Sequence, residues 1–215
     1  MRKYWLILFL LFAQPLMAAG QETAADVPDA GSWTSLSLKH NFSPNYYLLL
    51  RGELRTKDNC GTADVWFLRA FNRYKFQPWL SGELNLEYNN TNLVDVWRRS
   101  FRVHLSAIAS GSLGDFKFST MQREYFFVVS NIEPVSPCFL LSNYRVAYAP
   151  DEWPVSPYLS AFWLFRPELF QRRLIAGADI SLGQAASLNL YYMFKTAYPA
   201  KTNINVLGLG LTLKI

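Results

Sequence analysis

The amino-acid sequence predicts an all-β fold, because most of the chain alternates apolar and polar residues with a period of two. Residues 85–88, 188–195 and 207–215 show this alternation clearly. A period of two places successive side chains on opposite faces of a strand. Repeated in segments of about ten residues, it indicates an antiparallel up-and-down barrel with its apolar face toward lipid and its polar face toward the lumen.

The first twenty residues, MRKYWLILFLLFAQPLMAAG, have the organisation of an export signal. Arg2 and Lys3 are positively charged, an apolar run follows, and small residues end the segment, as signal peptidase requires. A retained membrane helix would need about 20 apolar residues, and Gln14 and Pro15 interrupt the run. We therefore expect residues 1–20 to be removed. Residues 21–31 should form a flexible leader, and residues 32–215 the barrel.

Aromatic residues make up 16% of the chain, and its mean hydropathy is close to zero, at +0.02. Such a composition is typical of a transmembrane barrel, in which Trp and Tyr form girdles at the two membrane interfaces. Trp66, Trp79, Trp97, Tyr158 and Trp163 are predicted to lie in these girdles. A soluble exported β-sandwich that binds a partner, with the same aromatics in its core, is the alternative fold.

The alternation divides the mature chain into strands separated by short and longer connections in turn. Single-chain bacterial barrels have an even number of strands, so the prediction is ten to twelve strands, with twelve favoured. The segments themselves number eleven: 33–42, 46–56, 65–76, 79–89, 97–109, 116–127, 138–149, 158–165, 172–182, 187–195 and 204–215.

Charged residues recur on one face of these strands, and we expect that face to line the lumen. In strand 46–56, Arg51, Glu53 and Arg55 alternate with leucines. An Arg or Lys facing lipid near the midplane would cost about 2–4 kcal/mol. Arg123 and Glu124 are adjacent and cannot both face inward, so a bulge or a loop-level Glu124 is expected. The predicted lumen set is Arg51, Glu53, Arg55, Arg69, Arg73, Glu83, Glu87, Arg98, Arg102, His104, Arg145 and Asp179.

Two functions are open for these lumen charges. Rings of Arg can form a pore or solute site that favours anions. Alternatively, the Arg and carboxylate side chains pair with one another and fill the interior, as side chains do in small barrels. The size of the barrel favours the ion-paired interior, so the predicted function is narrow passive solute passage or a structural and surface role.

An outer-membrane lipid-modifying or hydrolytic enzyme is the alternative function. The chain has only two histidines, His40 and His104, and no arrangement of nucleophile, base and orienting group is evident around either. No Cys or His cluster has metal-ligand spacing, so no cofactor is expected.

Cys60 and Cys138 are predicted on the same end of the barrel, where an oxidising envelope permits a disulfide. Spacing alone leaves open whether their Cα atoms come close enough to bond.

The net charge of +5 is spread through the strands, which argues against nucleic acid as a partner. The expected partners are outer-membrane lipids and, during biogenesis, the barrel-assembly machinery.

The chain remains strand-like to its last residue, as a closing strand does, although Ile215 stands where an aromatic residue is usual. The expected location is the bacterial outer membrane.

Several spaced motifs occur along the mature chain. They are Gly31-Ser32-Trp33, Arg51-Gly52-Glu53-Leu54-Arg55, residues 98–102, Asn143-Tyr144-Arg145, Arg172-Arg173 before Gly177, and Leu190-Tyr191-Tyr192. Together they resemble a Gram-negative outer-membrane family known as domain of unknown function 2490. The similarity covers most of the mature chain, and it implies location and fold but no chemistry. Similar sequences often carry a Glu where this chain has Phe162.

Overall fold

The computed structural model describes residues 29–94, 96–132, 138–166, 168–198 and 202–215. The predicted signal peptide, residues 1–20, lies outside the described residues, as does most of the predicted leader. The first strand begins at Asp29, so residues 29–31 belong to the barrel and not to the leader.

The described residues form eleven strands and no helix, which confirms the predicted all-β fold. Each strand coincides with one predicted segment, and strand ends extend up to four residues further than the alternation indicated. The strands are β1 (Asp29–Ser43), β2 (Tyr46–Lys57), β3 (Thr62–Gln77), β4 (Leu80–Asn92), β5 (Trp97–Leu113), β6 (Phe116–Ser130), β7 (Cys138–Tyr148), β8 (Val155–Arg166), β9 (Glu168–Ser181), β10 (Ala186–Ala197) and β11 (Thr202–Lys214).

The strands close into a single barrel in which every sequential pair is antiparallel and β1 pairs with β11 in parallel. This parallel seam follows from the strand number, because an up-and-down chain with an odd count has its first and last strands running the same way. Eleven lies within the predicted range of ten to twelve. The described part of the chain does not contain the twelfth strand that the even-number rule favoured.

The register shifts by fourteen residues in one circuit of the barrel. A path of directly paired residues that leaves β5 at Arg98 passes through Trp33 of β1 and Tyr191 of β10, and it returns to β5 at Ser112. For eleven strands, this stagger corresponds to a tilt of about 40° from the barrel axis, in the usual range for closed barrels. The tilt brings side chains that are distant in sequence to the same depth in the lumen.

The outer face of the barrel is apolar and uncovered. Leu84, Phe101 and Leu209 are 45%, 37% and 43% exposed, and no second layer of described residues packs on them. The alternative prediction of a two-layer sandwich is therefore wrong. Several strands extend into segments expected to form longer loops, so that the β2–β3 connection, for example, spans only residues 58–61.

Most of the predicted girdle residues lie on the outer face, but Tyr158 does not. Trp66, Trp79 and Trp97 are exposed, and Trp163 packs edge-on against Tyr144. Tyr158 is 5% exposed and faces the lumen. That prediction was wrong because Tyr158 shares its face of β8 with the buried Ser160 and Leu164, while its neighbour Leu159 is exposed on the outer face.

The expected irregularity at Arg123 and Glu124 is also absent. Arg123 pairs with Ser106 and Glu124 with Leu105, in unbroken register. Arg123 is buried in the lumen, while Glu124 is exposed on the outer face at the middle of β6. The regular pleat is kept here because a buried Arg123 has partners inside the barrel, which are described below.

Two inward tyrosines lie flat against glycines of neighbouring strands. Tyr191 of β10 pairs with Gly208 of β11, and a Cβ built on Gly208 would overlap the ring carbon Cζ of Tyr191. Gly177 of β9 lies beneath Tyr158 in the same way, with 2.8 Å between the built Cβ and the ring. The glycines therefore let two large rings lie against the barrel wall.

Replacing Gly208 with Ala should destabilise the barrel by about 1–3 kcal/mol, since the new methyl group displaces the Tyr191 ring. Gly111→Ala is the matched control, because a Cβ at that strand position meets nothing within 4 Å. Denaturant unfolding of both variants in detergent measures the effect. Adding Tyr191→Leu to Gly208→Ala should recover part of the loss, and an equal loss in Gly111→Ala would contradict the packing argument.

Candidate functional site

The interior of the barrel contains a network of charged side chains. All twelve residues of the predicted lumen set occupy strand positions whose side chains alternate with those of the exposed outer face. Eight of them line one central cavity: Arg51, Glu53, Arg55, Arg69, Glu87, Arg102, Arg145 and Asp179.

The first cluster is built around Glu87 of β4, which is 1% exposed. The register sets Arg69 of β3 and Arg102 of β5 directly beside it, one on each neighbouring strand. Arg69 Nε donates to Glu87 Oε2 at 2.6 Å, and Arg102 Nη1 donates to Glu87 Oε1 at 3.2 Å. One carboxylate thus accepts hydrogen bonds from two guanidinium groups.

The second cluster has the same arrangement around Glu83, which lies four residues before Glu87 on the same face of β4. Arg73 Nε donates to Glu83 Oε1 at 2.7 Å, and Arg123 Nη2 donates to Glu83 Oε2 at 2.9 Å. Arg123 comes from β6, two strands away, and it reaches across Ser106, whose hydroxyl accepts from Arg123 Nε at 2.8 Å. The sequence analysis left Arg123 out of the lumen set because Glu124 stands next to it.

Between the two clusters lie Asn85 and His104, paired directly across β4 and β5 and both fully buried. The His104 ring lies 4.2 Å from the ring of Tyr125, measured between centroids. Neither ring nitrogen of His104 has a hydrogen-bond partner in the described part of the chain.

His40 lies at the end of the barrel, where its Nδ1 is 2.8 Å from the backbone oxygen of Ile215. Within the described residues, neither histidine is hydrogen-bonded to a nucleophile.

The remaining predicted residues form separate contacts. Arg55 Nε donates to Glu53 Oε1 at 2.7 Å within β2, and Arg145 of β7 forms an ion pair with Asp179 of β9. Arg98 makes no ion pair among the described residues, and its Nε has no hydrogen-bond partner there. The structure therefore joins most of the lumen set into pairs and triads, with Arg98 apart near the barrel end.

Besides Arg98, two further inward arginines have no ion-paired carboxylate within the described residues. Arg51 Nε donates to Ser37 Oγ at 3.0 Å, and Arg173 Nε donates to Gln171 Oε1 at 2.6 Å. The predicted lumen set did not include Arg173. Asp179, which that set did include, is six residues from Arg173 in β9 and so has the same parity, a signal in the sequence that identifies Arg173.

The lumen contains two cavities along its length. The central cavity has a volume of about 460 Å³ and is bounded by charged and aromatic side chains. A second cavity of about 700 Å³ includes Lys75 and Lys117, near the end of the barrel that carries the β3–β4 and β5–β6 turns. Arg145 and Asp179 line both cavities, so their ion pair stands where the two meet.

Cys60 is a free, exposed cysteine in the turn between β2 and β3. Cys138 is the first residue of β7, four strands further around the barrel from β3. Cys60 is therefore not in a disulfide in this structure, and four strand positions separate it along the wall from the start of β7.

The described residues contain no group of three or more potential metal ligands and no helix long and apolar enough to cross a membrane. No protein-family model and no curated protein matches this chain. The resemblance to domain of unknown function 2490 therefore stays a prediction.

Replacing Glu87 with Gln should lower the free energy of unfolding by about 3–5 kcal/mol, because it leaves two buried guanidinium groups without their carboxylate. Glu124→Gln makes the same chemical change on the exposed outer face and should alter stability by less than about 0.5 kcal/mol. Reversible denaturation in detergent compares the two. Equal effects would show that the Glu87 cluster does not stabilise the barrel.

Proposed function

We propose that this protein is an integral outer-membrane barrel with a structural or surface role, and that its lumen allows at most narrow passive passage of solutes. The observation that supports this proposal is the contrast between the two faces of one closed sheet. The outer face exposes a belt of large apolar residues, and the inner face holds two buried clusters of Arg and Glu.

The apolar belt supports the membrane location. Soluble monomers rarely expose contiguous apolar patches beyond a few hundred Å². Here large apolar side chains are exposed on most strands of the barrel, which lipid would cover. Glu124 is a charged residue on this face, and an acidic residue there costs less than an Arg or Lys. The predicted signal peptide agrees with export to the envelope.

The filled interior supports a closed or narrow lumen. Eleven strands make a barrel only somewhat wider than the eight-stranded type, whose interior is filled by side chains. The long arginines and the aromatic rings of Phe67, Phe71 and Tyr125 reduce the central space to about 460 Å³. The ion pair of Arg145 and Asp179 separates this space from the second cavity. A wide aqueous channel would need a larger barrel.

The proposal includes no catalytic step. His104, the buried histidine, contacts Tyr125 and lies between two ion-pair clusters, and the nearby Ser106 hydroxyl is engaged by Arg123. A general base needs a hydrogen-bond route to the group it deprotonates. The described residues give His104 no such route.

The membrane location predicts that an outward arginine will be tolerated only outside the belt. Leu84→Arg should destabilise the barrel in lipid vesicles by about 2–4 kcal/mol, because its charge would face hydrocarbon. Leu182→Arg, in the β9–β10 turn, is the control and should fold like the wild type. Folding is followed by heat-modifiable migration on gels. A wild-type protein that stays dissolved without detergent would overturn the membrane assignment.

The closed lumen predicts a small or absent conductance in planar bilayers. The double variant Arg145→Ala/Asp179→Ala removes the ion pair between the two cavities and should raise the single-channel conductance above that of the wild type. Asp151→Ala, in the exposed β7–β8 connection, should leave the conductance unchanged. Large porin-like steps from the wild-type protein would contradict the proposal.

A further inference from the structure

The central cavity carries an excess of positive charge. Seven arginines and three carboxylates line it. Glu53, Glu87 and Asp179 are engaged by Arg55, by Arg69 with Arg102, and by Arg145, while Arg123 is bound to Glu83. This leaves Arg51 and Arg173 without an ion pair to a carboxylate among the described residues. Both are attracted by Glu53, but that carboxylate is already hydrogen-bonded to Arg55. The arginines that line this cavity therefore outnumber its carboxylates by four.

The position of Arg51 makes its charge costly. The register places Arg51 of β2 directly opposite Arg69 of β3, and both guanidinium groups lie over the ring of Phe71, at 5.2 and 5.3 Å from its centroid. Like charges directly opposite one another across two strands are destabilising. The hydrogen bond from Arg51 to Ser37 orients the guanidinium but brings no negative charge, and the attracting carboxylate of Glu53 is shared with Arg55.

Arg173 is held in a comparable way on the other side of the lumen. Its guanidinium lies 5.1 Å from the ring centroid of Trp33, and that of Arg55 lies 3.8 Å from the same ring. The shared indole positions two cations from β9 and β2 near one another, and within the described residues Arg55, but not Arg173, forms an ion pair with Glu53. An anion in the cavity would reduce the repulsion on this side as well.

The wall between these arginines leaves room for a ligand. Ser35 of β1 and Gly210 and Thr212 of β11 line the cavity, and none of them has a long side chain. Hydroxyl groups are hydrogen-bond donors to an anion, and a cavity of about 460 Å³ falls within the usual size range of small-molecule sites. On the far side of the Arg145–Asp179 pair, Lys75 and Lys117 add positive charge that attracts anions.

We propose that the central cavity is a binding site for a small anion with a carboxylate or phosphate group, held by Arg51 and Arg173. Guanidinium groups are suited to these ligands because their planar N–H groups match two oxygens at once. The site is separate from the proposed membrane function, since it depends on the folded lumen and not on lipid or conductance.

The test uses inorganic phosphate with the folded mature protein in detergent. Phosphate should raise the thermal unfolding midpoint in a saturable way, beyond the effect of KCl at equal ionic strength, and calorimetry should give a matching affinity. Arg51→Gln should weaken phosphate binding at least tenfold. Without phosphate, the same variant should unfold at a higher temperature than the wild type, because the repulsion from Arg69 is relieved. A purely structural Arg51 would give the opposite sign.

Arg99→Gln is the matched control, because Arg99 is exposed on the outward face of β5 and the substitution removes the same charge. It should bind phosphate like the wild type. Arg173→Gln provides a second variant if Arg51→Gln fails to fold, and Arg51→Lys should retain part of the affinity. Unchanged phosphate binding in folded Arg51→Gln and Arg173→Gln, or an effect fully reproduced by KCl, overturns the proposal. Neither result bears on membrane insertion or conductance, which are tested separately.

Discussion

The burial of two carboxylates on β4 is the interaction on which the interior depends. Glu83 and Glu87 are almost fully enclosed, and a buried carboxylate needs close, well-aligned partners to offset its desolvation. Each obtains two guanidinium groups, one from β3 and a second from β5 or β6. These bonds connect four consecutive strands, so the position of each strand in the register is tied to that of its neighbours.

The register in turn depends on the closure of the barrel. A slip of one residue between two strands would turn every inward side chain to the outer face. In this chain such a slip would expose the Glu87 carboxylate and bury leucines in a polar lumen. The parallel seam between β1 and β11 completes the circuit without an additional strand. Regular pairing through Arg123 and Glu124 shows that the pleat is kept even where an acidic residue must then face outward.

The lumen is unevenly filled, and this gives it a distinct chemical character. Carboxylates occur mainly on β2 and β4, whereas β11 and β1 contribute small residues such as Gly210 and Ser35. Tyr191 lies flat on Gly208 and does not cross the lumen. The remaining space therefore lies beside arginines that form no ion pair with a carboxylate among the described residues. An interior that serves only to close the barrel would gain stability from a carboxylate paired with Arg51, and this is the reason for proposing an anion site there.

The amino-acid sequence alone determined the all-β class, the approximate position of every strand and the face on which most charges lie, because a period of two is a local property of the backbone. It did not determine the depth or the partners of those charges. Glu83 meets Arg123 across 40 residues of chain only because the strands tilt and stagger around a closed circuit. The same long-range geometry decided the strand count, the separation of Cys60 from the start of β7 and the cavity beside Arg51, and no pattern among neighbouring residues predicts these features.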